Sequence, residues 1–332
     1  MFDSHNAHMS TLQLSEPVSS ALSTPSRLTA EDETKSDPTP LVATFSNSAN
    51  LTNAVHDIST RPVGYADLSD VYTGIWRNAY GDQKVAIKVI RARPSTSSTD
   101  TLSSILLREL SRWHRLQHRN VDLLFGFFDG YGPLPALVSP WYENGNVISY
   151  LQRRAGDPDV DAIKIELLLG AMTGLCYLHD QSIVHGGIRG NNVLVNEEGI
   201  ARLSDVGLTP ILSQNSQSFE HSGGIEMDRY RCSAPELSLV EGARHSYASD
   251  VWASGCLFIE VWSATEPHPV DQLFLALRKD KQPTRPSEIS FPDFLWQLML
   301  ECCNAVPSQR PSATDIVAQI QVHSRTQPLS NL

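Results

Sequence analysis

No stretch of this sequence approaches the roughly 18 consecutive apolar residues that a membrane-spanning helix needs. Nor does an early segment join a basic start to an apolar run of about 7 to 15 residues, as an export signal does. Basic residues are also in short supply: 26 Lys and Arg face 37 Asp and Glu, a net charge of −11. Nucleic acids and anionic membranes call for clustered positive charge, so neither is an expected partner, and small molecules and proteins remain. Cysteine is scarce too. The five, Cys176, Cys232, Cys256, Cys302 and Cys303, are odd in number, and three lie inside apolar runs without metal-ligand spacing. Reduced thiols in a cytoplasmic or nuclear compartment are the expectation.

What is present suffices for one large domain, or two small ones, plus a tail: 332 residues, 41% of them hydrophobic. Residues 1–59 are rich in Ser, Thr, Asn and Pro, with few aromatics and no sustained apolar period, and read as a disordered tail. The first 58 residues hold seven acids against two bases, so much of the negative charge sits there. Thr24-Pro25 and Thr39-Pro40 within this stretch carry no argument, because such dipeptides are common in disordered segments.

The composition shifts after Arg61. The β-branched runs DVYTGIW and QKVAIKVI flank the turn-forming NAYGD and predict an antiparallel hairpin. Leu102, Leu106, Leu110 and Trp113 recur at helical spacing, and VDLLFGFFDG and LPALVSP predict further strands. Beyond YENGN the pattern turns helical. Residues 165–178 have a broad apolar face, and DVWASGCLFIEVW is apolar almost all round, as a fully buried helix is. A small strand-rich lobe with one helix is expected at about 60–139, and a mainly helical lobe at about 145–322, with a short tail at 323–332.

Within this frame Lys88 alternates with Ala86 and Ile90 on a strand otherwise made of apolar residues, where a lone ammonium is costly to bury. Glu109 shares the apolar face of its helix, so the two are expected to form a pair. IVHGGIRGNNVLV is a polar, glycine-bearing loop between a helix and a strand, a common setting for binding groups. Asp205 follows the next strand directly, and with Asn192 it offers hard oxygen ligands suited to Mg²⁺.

VAIKVI, the helical Glu109, VHGGIRGNN, SDVGL, SAPEL, SDVWASG and QRPS stand in the order and at the spacing of protein kinases, over roughly residues 60–322. The wording of HGGIRGNNVLV and SPWYENGNV most resembles the tyrosine-kinase-like group. The resemblance implies an α+β, two-lobed fold with a small β-rich N-lobe carrying one main helix and a larger mainly α-helical C-lobe. It implies ATP and Mg²⁺ as cofactors and an unidentified protein substrate or signalling partner. By the same resemblance Lys88 contacts the α- and β-phosphates and pairs with Glu109, while Asn192 and Asp205 hold metal. Gly64 belongs to the glycine loop, Val71, Ala86 and Leu194 sandwich the adenine ring, and Ser139, Trp141 and Tyr142 belong to the gatekeeper and hinge. Asp250 ties down the catalytic loop, and Glu236 with Arg310 braces the C-lobe.

Several positions depart from the family pattern. Gly64, Ala66 and Ser69 stand at the three glycine positions of the phosphate loop, which implies weakened nucleotide binding. Gly186 replaces an arginine that reads activation-loop phosphorylation, and Val206 replaces a phenylalanine beside the metal-binding aspartate. Most consequentially, Gly187 occupies the place of the catalytic-loop aspartate, five residues before Asn192, while Arg189 keeps the positive charge of the usual lysine. A general base contributes about 10²- to 10⁴-fold in rate, roughly 3 to 5.5 kcal/mol of barrier. The expected function is a pseudokinase or severely impaired kinase that binds ATP as a switch or scaffold. The alternatives are an active Ser/Thr protein kinase and a scaffold that binds no nucleotide. Ser213, Ser216, Ser218 and Ser222 fall in the candidate activation segment, either as phosphorylation sites or as part of a flexible Ser-rich loop, and the loop is the expectation.

Overall fold

The computed structural model describes residues 45, 48–65, 69–91, 99–215, 232–240, 242–264, 285 and 290–326. The small lobe is an antiparallel sheet whose path runs β1 (Val55–His56), β3 (Ser69–Asn78), β4 (Gly81–Ile90), β6 (Ala136–Pro140), β5 (Gly126–Phe128), with β2 (Gly64–Tyr65) added on β3. The predicted hairpin is β3–β4, closed by the Asn78↔Gly81 pair. Asn78 Oδ1 accepts from the Tyr80 N–H at 2.8 Å, and Gly81 takes a φ of 120° that few other residues tolerate.

Period-two alternation gives this sheet two apolar faces. Val85 and Ile87 point into an outer cluster with Leu51, Val55, Phe128, Ala136 and Val138. Ile90 and Leu137 belong instead to the large inner core. Lys88 lies two residues from Ile90 on β4 and so shares its face.

Leu51 and Val55 in the outer cluster, with buried Phe45 and Ala49, correct the boundary set at residue 59. The Leu51 N–H donates to Phe127 O at 2.8 Å, and the Phe127 N–H donates to Ala49 O at 2.9 Å. Residues 48–59 are therefore part of the small lobe. Four apolar side chains scattered among Ser and Asn make no period, yet they cover an otherwise open sheet edge. The remainder of the expected tail, with Thr24 and Thr39, lies outside the described residues, as does 327–332.

The helix of the small lobe, α1 (Thr99–Trp113), buries Leu102, Leu106, Leu110 and Trp113 as its spacing predicts. The large lobe contains α2 (Val147–Gln152), α3 (Val160–Asp180), the hairpin β7 (Val193–Val195) with β8 (Ala201–Leu203), α4 (Leu208–Asn215), α5 (Glu236–Leu239), α6 (Tyr247–Ser263), α7 (Asp293–Cys302) and α8 (Ala313–Thr326). The α8 helix passes the expected boundary at 322. Ser246 caps α6 by accepting from the Ser249 N–H while Ser249 Oγ accepts from the Ser246 N–H. Nearly every residue from Ser249 to Trp262 is buried, as the all-round apolar pattern requires. This is the two-lobed α+β architecture the sequence implies, and no helix among the described residues is long and apolar enough to cross a membrane.

Candidate functional site

The ammonium of Lys88 lies 2.5 Å from Asp205 Oδ1, and both residues are more than nine-tenths buried. Strand register brings Lys88 here: it pairs with Val71 on β3 and Leu137 on β6. Asp205 arrives from β8, with φ at +62°, a conformation uncommon for a residue bearing a side chain. Asn192 and Ser204 stand just outside the Val193↔Leu203 pair, and the Ser204 N–H donates to Asn192 O at 2.9 Å. The hairpin thus delivers Asn192 and Asp205 to one wall of a cavity that Ser69 and Lys88 also line.

Glu109 is not part of this cluster. Its carboxylate faces Arg112 at 3.3 Å and Arg108 at 3.6 Å, and its side chain is 23% exposed. The expected Lys88–Glu109 pair is replaced by Lys88–Asp205, and a helix after Asp205 accompanies the change. The segment after Gly207 is helical from Leu208 to Asn215, where a flexible loop is expected. Leu208, Ile211 and Leu212, at i, i+3 and i+4, are buried, and α4 packs against α1. Leu208 and Leu212 line the cavity beside Lys88 and Asp205, and the volume left is only ≈ 20 Å³. Ser213 sits within α4, whereas Ser216, Ser218 and Ser222 lie outside the described residues.

The segment expected to be the catalytic loop is held from below. Asp250 on α6 accepts from the backbone N–H groups of His185 at 2.8 Å and Gly186 at 2.7 Å, and it meets His179 Nε2 at 3.1 Å. The Gly187 N–H donates to His185 Nδ1 at 3.1 Å, so that nitrogen carries no proton. Burial lowers the pKa of the His185 imidazole, in agreement with a neutral ring. Asn192 Nδ2 donates to Gly187 O at 2.8 Å. A β-carbon placed on Gly187 would meet Thr209 Oγ1 at 2.8 Å, so a hydroxyl of α4 stands where a side chain would begin. Arg189 is buried at the start of the short 3₁₀ turn Gly190–Asn192, and the Gly190 N–H donates to Glu260 Oε2 at 2.7 Å.

Gly64 pairs with Val71, and Ala86 with Ser139, so the expected slot residues lie on neighbouring strands. Leu194 forms a bridge with Asn146. Trp141 and Tyr142 follow β6 directly, with Lys84 Nζ 5.1 Å from the Trp141 ring centroid. Ala66 is outside the described residues, and Val206 is buried in the inner core. At the far side of the lobe Arg310 holds Glu236 through two hydrogen bonds of 2.7 and 2.8 Å, as its sequence motif implies.

One ionisable group escaped the sequence analysis. Asp122, fully buried, accepts from Tyr142 Oη at 3.0 Å through Oδ1, while Oδ2 has no hydrogen-bond partner. Burial raises its pKa to about 7, against the opposing charge of Lys88. In the text RNVDLLF it resembles any strand-edge acid, and only its distant partner Tyr142 marks it.

A buried cation beside a carboxylate and an amide is a donor set that fits a triphosphate with Mg²⁺. Lys88 would meet phosphate oxygens, and Asp205 with Asn192 would offer oxygen ligands to the metal. Among the described residues no three His, Cys, Asp or Glu side chains cluster as a metal site by themselves. The chemistry fits, but the space beside these groups is filled by α4 in this conformation.

The family model for the protein tyrosine and serine/threonine kinase domain matches residues 58–320. The tyrosine-protein kinase Src64B of Drosophila melanogaster is 25% identical over 256 residues, 76% of this chain and 44% of that protein. The serine/threonine/tyrosine-protein kinase HT1 of Arabidopsis thaliana is 27% identical over 272 residues, 80% of this chain and 67% of that protein. Protein-tyrosine kinase 6 of Mus musculus is 27% identical over 267 residues, 78% of this chain and 55% of that protein. The match thus spans about half to two thirds of these relatives' lengths. With the two lobes and the paired Lys88 and Asp205 in place, the chain belongs to the protein tyrosine and serine/threonine kinase family.

Proposed function

We propose that this kinase domain is a pseudokinase: a switch or scaffold in intracellular signalling that binds ATP with Mg²⁺ and presents a nucleotide-dependent shape to a protein partner. The observation that carries the reading is Gly187. The three atoms nearest to a β-carbon there belong to Thr209 and Asn192, and none is a carboxylate oxygen that could take the place of the missing base. Retention of Lys88, Asn192 and Asp205 around one cavity supports nucleotide binding, because a buried cation and carboxylate without a ligand to serve are costly to keep. All five cysteines are free thiols, four of them buried, which favours a reducing cytoplasmic or nuclear site of action.

ATP would bring the γ-phosphoryl group and the metal its charge neutralisation. The chain's own residues hold and orient. Lys88 would exchange Asp205 for phosphate oxygens, freeing that carboxylate for metal, and Asn192 stays anchored through Nδ2 to Gly187 O. No side chain at 187 can orient an acceptor hydroxyl or receive its proton. The test is thermal unfolding with and without ATP and Mg²⁺, with γ-phosphate transfer followed in the same samples. Stabilisation of about 2.7 kcal/mol at a hundredfold excess over Kd, with only trace transfer, supports the reading. Transfer at ordinary kinase rates, about 1–100 s⁻¹, favours an active Ser/Thr kinase, and no shift at millimolar ATP favours a scaffold without nucleotide.

A further inference from the structure

We propose that Gly186 and Gly187 form a seat for Thr209 and Pro210, so that the missing side chains at these two positions are what lock α4 over the Lys88–Asp205 cavity. A β-carbon on Gly186 would lie 2.3 Å from Pro210 Cγ and 2.6 Å from Pro210 Cδ, closer than real carbon contacts allow. A β-carbon on Gly187 would lie 2.8 Å from Thr209 Oγ1. The loop beneath cannot give way, because Asp250 holds the N–H groups of His185 and Gly186, and the Gly187 N–H is held by His185. The helix above is equally fixed: Leu208, Ile211 and Leu212 are buried, and Pro210 has a ring that no rotamer change removes from its place.

The consequence reaches across the site. With Thr209 and Pro210 seated, Leu208 and Leu212 fill the space beside Lys88, the lysine turns to Asp205, and Glu109 stays with Arg112. Replacing the arginine and aspartate of the family pattern with two glycines therefore has two effects. It removes the base, and it opens a cradle into which the following helix drops. Side chains at 186 and 187 would expel α4 and enlarge a cavity that now holds ≈ 20 Å³. The seat does not depend on the rate of phosphate transfer, but the ATP binding proposed above requires α4 to leave it, so nucleotide and seat oppose each other.

The test is hydrogen exchange of the α4 amides of residues 211–215 in the full chain without nucleotide. Gly186→Ala is expected to raise their exchange roughly tenfold or more. Gly186 has a φ of +72°, which strains any side chain by itself, so the deciding variant is the double substitution Gly186→Ala with Pro210→Ala. It deletes the two ring carbons that clash, and protection should return to near the level of Pro210→Ala alone. Equal exchange in Gly186→Ala and the double variant would mean that backbone strain is the whole effect and would overturn the seat. Gly187→Asp, at a position without that strain, gives the second arm: unchanged α4 exchange there also contradicts the proposal, and increased exchange supports it.

Discussion

Lys88 and Asp205 are joined across the lobes at 2.5 Å, 117 positions apart in the chain, while Glu109 pairs with its helical neighbour Arg112 instead. In this arrangement α4 fills the space beside Lys88. An ammonium and a carboxylate buried together depend on each other, because removing one leaves the other uncompensated.

Lys88→Met is therefore expected to destabilise the domain by about 3 kcal/mol, measured by urea unfolding. Adding Asp205→Leu should recover most of that loss, since two apolar groups replace the pair. Independent, additive losses would show that the pair is not coupled.

Asp122 predicts a pH dependence with a definite sign. Its folded-state pKa of about 7 lies above its ordinary value of 3.8, with burial as the main cause. Its stabilising contribution is complete below about pH 4 and declines as pH rises to about 7, where the folded carboxyl finally ionises. Asp122→Asn removes this titration. The stability of the variant relative to the wild type should rise by a few kcal/mol between about pH 4 and 7.5, and a constant difference would refute the assignment.

Arg310 has a side chain with no exposed surface, two hydrogen bonds to Glu236, one of 2.8 Å to Ala248 O, and the Trp252 ring 5.1 Å away. Arg310→Ala should lower unfolding free energy by about 3–5 kcal/mol. Arg310→Lys should restore little of it, because an ammonium cannot reproduce the two-pronged contact. Full rescue by lysine would reduce the role to charge alone.

Gly174, in the middle of α3, reverses the usual effect of a helix glycine. Alanine there would normally gain roughly 0.5–1 kcal/mol. Its methyl group would instead meet Asn120 O at 2.4 Å, a backbone atom that cannot rotate away. Gly174→Ala should therefore cost about 1–3 kcal/mol in chemical denaturation, and a gain would show that the loop at Asn120 moves freely.

Much of this was legible in the residues. Lys88 on an apolar strand face, the spacing of Leu102, Leu106, Leu110 and Trp113, and the all-round apolar run after Ser249 each follow from local period, and each is found as read. Partner choice was not legible. Glu109 lies on the apolar side of its helix, but which cation it meets depends on whether α4 fills the gap. That depends in turn on contacts of 2.3 and 2.8 Å between residues more than 20 positions apart. The glycines were readable as a loss of chemistry but not as a cradle, since a cradle is defined by what enters it. Residues 48–59 escaped because sheet-edge coverage by Leu51 and Val55 leaves no periodic trace, and Asp122 because its burial comes from distant elements.

The most direct test of the central claim is γ-phosphate transfer by the wild type and by Gly187→Asp under saturating ATP and Mg²⁺. A restored carboxylate supplies the base, so the variant should exceed the wild type by at least about 10²-fold. Equal transfer by the two proteins would contradict the role assigned to Gly187.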